Sequence, residues 1–191
     1  MLRFTAAATT AGPAYTARML LSEVVPSIKD TEAPKLKPFS HFTLACTAED
    51  ESARISEAFE ALAKHLGKPV SFTAEEVVNL GGEAQALWGV KLNLDSHPEL
   101  RDLLGSFFDS MMCPERNGTL YTWKPALGQT TKCPHITIGA KIEDKTIADR
   151  LVAEGCVFVF DQVDYKKVGP HDPHLSMSLN AEKAFGAAFS S

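Results

Sequence analysis

Cysteine is scarce. The 191 residues hold four, Cys46, Cys113, Cys133 and Cys156, with no C-x-x-C pair among them. A tetrahedral zinc site would have to gather its ligands from four unrelated segments, so the spacing predicts buried free thiols in a reducing compartment. Long apolar runs are missing too: Glu23 interrupts Met19–Val25, and Val157–Phe160 is short. Neither approaches the roughly 18 residues that a membrane-spanning helix needs, so no membrane span is expected. Positive charge is not in excess, the formal net charge being −5. That argues against a protein that coats long nucleic acids, whose binding rests on many Lys/Arg–phosphate contacts. It leaves open an enzyme that grips one phosphate. With 12 glycines, 11 prolines, 23% charged and 45% hydrophobic residues, the composition excludes collagen-like, coiled-coil and fully disordered chains. The length suits one large domain or two fused lobes.

Acidic residues are absent from the beginning of the chain, the first being Glu23. Before it stand Arg3, Arg18 and a series of Ala and Thr, an acid-poor, Arg-bearing start like that of a mitochondrial transit peptide. The expectation is a mitochondrial protein, with the cytoplasm as the other option. Residues 1–40 are read as an N-terminal arm that is transit-like, or that packs on its own body or docks on a partner chain. Pro34 and Pro38 punctuate the linker into the body at 41–191. The arm holds five Lys/Arg and three acids, which leaves the body at a formal −7.

The body reads as two similar halves. His41–Cys46 alternates as a half-buried strand. Thr47 and Asp50 suit a capping box that opens a helix with Ile55, Ala58, Phe59, Leu62 and Leu66 on one face, stopped by Gly67. Residues 70–79 are rich in β-branched side chains. Gly81-Gly82 turns the chain, and Ala86, Trp88, Val90, Leu92 and Leu94 alternate in the returning strand of a hairpin. A second helix begins near Pro98, capped by Asp95 or Ser96, and buries Leu100, Leu103, Leu104, Phe107, Phe108 and Met111. After a loop to about Lys132 the pattern repeats. A strand at Cys133–Gly139 leads to a helix carrying Ile142, Ile147, Leu151 and Val152 and closing at Gly155. Strands at Cys156–Val168 and His174–Leu179 follow. Strand–helix–strand–strand thus occurs twice, in lobes of about 41–112 and 133–180. The fold class is α+β, with duplicated βαββ lobes whose two antiparallel sheets face each other across a central cleft, helices outside.

Chemistry is carried by a repeated tetrapeptide of His, apolar, Thr, apolar: His41-Phe42-Thr43-Leu44 and His135-Ile136-Thr137-Ile138. On a strand, residues i and i+2 share a face, so each His stands beside its Thr while the intervening apolar residues face the helices. Two imidazoles converging on one site suit a phosphodiester. One takes a proton from the attacking oxygen and the other gives one to the leaving oxygen. Hydroxyls and cations hold the phosphoryl oxygens, where charge builds. His174-Leu175-Ser176-Met177 fits the same pattern. It lies on the last strand of its half, which reads as a satisfied strand histidine. His65, His97 and His171 read as surface residues.

The paired tetrapeptides, their spacing and the duplicated layout resemble the two-histidine (2H) phosphoesterase superfamily, which includes RNA 2′,3′-cyclic phosphodiesterases and 2′–5′ RNA ligase-like proteins. The resemblance covers roughly residues 39–180. Its motifs, Phe39-Ser40-His41-Phe42-Thr43-Leu44 and Cys133-Pro134-His135-Ile136-Thr137-Ile138-Gly139, are both intact. It implies a metal-independent reaction, without a cofactor, that opens a cyclic phosphate or breaks a 2′–5′ linkage of a nucleotide or RNA end. It further implies that His41 and His135 are catalytic and that Thr43 and Thr137 bind phosphate. Which histidine is acid and which is base stays open. In the loop ahead of the second motif, Tyr121 and Trp123 are candidates to stack on a base, and Lys124 and Lys132 to meet a phosphate.

Two other readings stand beside the hydrolase. One is a non-catalytic 2H-like accessory subunit of a mitochondrial complex, docked on protein partners through residues 1–40. The other is a signalling protein that binds 2′–5′ oligoadenylate or a cyclic nucleotide.

Overall fold

The computed structural model describes residues 15–29, 31–38, 40–47, 49–80, 86–94, 97–98, 134–169 and 172–180. Among these, β1 (Tyr15–Val25) precedes β2 (His41–Thr47), α1 (Ser52–Leu66), β3 (Val70–Asn79) and β4 (Trp88–Leu92). The second half supplies β5 (His135–Gly139), α2 (Ile142–Ala153), β6 (Val157–Lys167) and β7 (Leu175–Ser178). The strand–helix–strand–strand order is therefore present in each half. Gly81-Gly82, the helix expected after Pro98 and the loop to Lys132 lie outside the described residues.

All strand pairings are antiparallel, in the order β1-β2-β5-β4-β3-β6-β7. β1 pairs with β6 as well, and this closes the ring into a barrel. β7 continues along the edge of β6 beyond β3. The expected pair of separate sheets gives way here to one closed sheet, because strands of the two halves interleave: β5 inserts between β2 and β4, and β3 pairs with β6.

Of the options for the 1–40 arm, packing on its own body holds for residues 15–25. Residues 15–25 are a strand of the body, with one edge on β2 and the other on β6. Ala17 and Met19 are fully buried on its inner face. The arm packs on its own chain there, along β6 over the whole strand and along β2 over Tyr15–Leu20.

Inside the ring, Phe42 (β2), Phe72 (β3) and Phe160 (β6) meet edge to face, with centroids 5.8 to 6.2 Å apart. Each such buried side chain contributes about 1.5–3 kcal/mol relative to exposure. α1 buries Ile55, Ala58, Phe59 and Leu62, as its periodicity predicts, and ends on Gly67 in the left-handed region at φ 58°. Its capping differs from expectation. Asp50 alone accepts from the Ser52 N–H at 2.9 Å and from the Ser52 hydroxyl. Thr47 is buried instead, donating to the Glu49 carbonyl at 2.8 Å and lying 2.9 Å from the Tyr165 hydroxyl. α2 is capped through Asp144, whose carboxylate accepts from the Lys141 N–H at 2.9 Å. Cys46 and Cys156 are buried free thiols, as expected, and burial pushes the Cys156 thiol up. Among the described residues no helix is long and apolar enough to cross a membrane.

Candidate functional site

β2 and β5 are neighbours, joined where Phe42 pairs with Ile136. Both side chains are buried, Phe42 at 1% and Ile136 at 0% exposure. Alternation then sends His41, Thr43, His135 and Thr137 to the opposite face of the sheet. Thr137 is exposed and the other three are half-buried. Antiparallel register about the Phe42–Ile136 pair sets His41 across from Thr137 and Thr43 across from His135. The two histidines are diagonal neighbours, a relation that sets residues about 7–8 Å apart with their Cβ atoms somewhat closer. Four side chains with two imidazoles and two hydroxyls therefore form one patch.

The two motifs share an irregularity. Against β1, Ala45 pairs with Ala17 and Thr43 with Arg18, which leaves Leu44 as an extra, bulged residue. Against β4, Gly139 pairs with Trp88 and Thr137 with Gly89, which leaves Ile138 as the extra one. In each tetrapeptide the bulge falls directly after the Thr. A bulge bends its strand and re-aims neighbouring side chains, and here it keeps Thr43 on the same face as Arg18.

The flanks of the patch are unlike. Thr43 has Arg18 across from it on β1, and His135 has Lys91 across from it on β4. Arg18 Nε donates to Asp164 Oδ1 at 2.7 Å and its Nη2 donates to Asp164 Oδ2. Lys91 Nζ lies 3.0 Å from Glu75 Oε1. His41 faces Leu20, and Thr137 faces Gly89, where Leu80 occupies the space a side chain would need. The cross-strand neighbours of the Thr43–His135 row are cationic, and those of the His41–Thr137 row are apolar. Sequence reasoning missed Arg18 and Lys91. Alternation does put both on the polar face, Arg18 between Ala17 and Met19 and Lys91 between Val90 and Leu92. What was missing was the strand order that carries them to the histidines.

The remaining candidates fall elsewhere. Tyr121, Trp123, Lys124, Lys132 and His171 lie outside the described residues. His65 is exposed at the end of α1. His97 is half-buried: its Nε2 lies 2.9 Å from the Ser71 carbonyl and its ring packs edge-on against Phe72. His174 precedes β7, is exposed, and sits beside Tyr15, Tyr165 and Asp50, apart from the patch. A cavity of about 60 Å³ is lined by Lys35, Leu36, Lys37, Ser40, Ile138, Asp144 and Ile147, and none of the four motif His and Thr side chains lines it. Among the described residues no three of His, Cys, Asp and Glu cluster closely enough to hold a metal ion.

No protein-family model matches the chain, and no curated protein matches it. Among solved structures it is similar to TT0787 of Thermus thermophilus, at 15% identity over 88% of this chain and 99% of that one, with a TM-score of 0.46. It is also similar to E. coli LigT complexed with 3′-AMP, at 10% identity over 87% and 97% of the two chains, TM-score 0.44. Usb1 of Kluyveromyces marxianus is a third such structure, at 10% identity over 86% and 96%, TM-score 0.42.

Proposed function

We propose that this protein is a phosphodiesterase that opens the 2′,3′-cyclic phosphate of a nucleotide or RNA end, or cleaves a 2′–5′ linkage. One observation carries the reading: both His-x-Thr pairs lie on adjacent strands with all four side chains on one face, opposite the core. In the cyclic-phosphate reaction one imidazole takes a proton from water as the water oxygen attacks phosphorus. The bond from phosphorus to the 3′ oxygen breaks, the other imidazolium protonates that oxygen, and a 2′-monophosphate leaves. Thr43 and Thr137 hydroxyls donate to the non-bridging oxygens as charge develops on them.

The test is turnover of 2′,3′-cyclic AMP and of an oligonucleotide ending in a cyclic phosphate. Wild type turns both over, with rates that decline on the acid and the alkaline side. His41→Ala and His135→Ala each lose about 10²–10⁴-fold, the usual size of a general acid–base contribution. Absence of turnover in wild type, or variants as active as wild type, sinks the reading.

A further inference from the structure

We propose that Arg18, held by Asp164, is a further phosphate-contacting residue of this site, so that the bound phosphate lies toward the Thr43–His135 row. The inference deepens the phosphodiesterase reading above and rests on it.

Arg18 is the cross-strand neighbour of Thr43, on the same face, brought there by the bulge at Leu44. Its side chain is only 12% exposed and that of Asp164 only 4%, so the pair is substantially withdrawn from water. Asp164 takes the Nε–Nη2 edge of the guanidinium through both carboxylate oxygens. A guanidinium is planar with five N–H donors, and a carboxylate on that edge uses two of them. Nη1 then points away from Asp164. Asp164 is on β6 and Thr43 on β2, on opposite sides of β1, so away from Asp164 is toward Thr43. The donors left over are those on the edge away from Asp164, on the side of the strand that carries Thr43.

A bidentate carboxylate also fixes the fork in place, and a pre-set donor loses less entropy when it binds. Lys91, the other cation of the row, is a point charge paired to the partly exposed Glu75 and lacks that fixed direction. On the opposite row, Leu20 and the Leu80-covered Gly89 offer no donor side chain to an anion. The cross-strand neighbours therefore equip the Thr43–His135 row better for an anion than the other row.

The experiment is calorimetric titration of adenosine 2′-monophosphate into wild type, Arg18→Met and Arg18→Lys, with circular-dichroism melts and 2′,3′-cyclic AMP turnover on the same samples. Arg18→Met is expected to bind the monophosphate about 10–100-fold more weakly, the scale of one lost charge-assisted hydrogen bond. Arg18→Lys keeps the charge but loses the fork, and is expected to fall between the two. Where Arg18→Met does not fold, Arg18→Lys decides: weaker binding with a wild-type melt supports the proposal. Wild-type affinity in a folded Arg18 variant, with wild type active and His41→Ala and His135→Ala inactive, overturns this proposal alone and leaves a purely structural ion pair. A wild type without turnover sinks the phosphodiesterase reading, and this proposal with it.

Discussion

Gly139 closes the second motif at a position where any side chain collides with the cap of α2. A Cβ there would lie 2.1 Å from Asp144 Oδ2 and 2.9 Å from Lys37 Nζ. The Asp144 carboxylate must stay where it is, because it satisfies the Lys141 N–H that opens the helix. Gly139→Ala is therefore expected to cost about 1–3 kcal/mol, the usual penalty of forcing atoms into filled space. A lowered urea midpoint would register it, and an unchanged midpoint would show that Asp144 moves aside freely. The histidines and threonines were readable because a period of two is local information. This glycine's constraint was not, because it depends on where a helix one turn away sends its carboxylate. The same holds for Tyr165. Its fully buried hydroxyl meets Thr47 and receives the Glu51 N–H at 3.0 Å, while burial pushes the phenol up. Nothing in the local pattern around residue 165 announces those partners, which come from more than a hundred residues earlier.

At the scale of elements, α1 shows how far periodicity reaches. Its length, its buried face and its glycine stop all follow from residues 52–67, since each is set within a turn or two. Its start involves more. The Asp50 carboxyl is held below the usual carboxylate range, first by the Ser52 hydroxyl, then by the Ser52 N–H, with His174 adding a favourable charge. A carboxyl with a depressed folded pKa contributes stability that is fully present above its unfolded value, about 3.9, and is lost as pH falls through the folded value. Asp50→Ala should therefore lower the melting temperature at pH 7, and the gap to wild type should narrow at pH 3. An equal gap at both pH values would remove the ionised cap from the account. β1 was the element least readable in advance. Only Ala17 and Met19 mark an inner face over its first half, and the acid-poor composition around them suits a targeting segment as well as a strand. Its role comes from pairing with β6, whose partner residues are some 140 positions away, and non-local pairing of that kind has no signature in a short window.

For the whole molecule, β1 is the strand that closes the ring, and closure governs where the chain can be cut. Removing residues 15–25 would strip one edge from β2 and one from β6. It would also take Ala17 and Met19 out of the core and leave Asp164 buried without the guanidinium that pairs with it. Unpaired edges invite association, and an orphaned buried carboxylate is costly. A chain beginning at residue 26 is therefore expected to lose its cooperative melt and to associate on size-exclusion chromatography. A chain beginning at residue 15 is expected to keep a single sharp transition. The same argument limits the mitochondrial leader that we propose from the acid-free start: an import peptidase has to cut before Tyr15. N-terminal sequencing of the protein from isolated mitochondria decides this. A mature end within 15–25 would mean that the ring never closes in the cell, and the patch would then lose Arg18 or the strand that carries it.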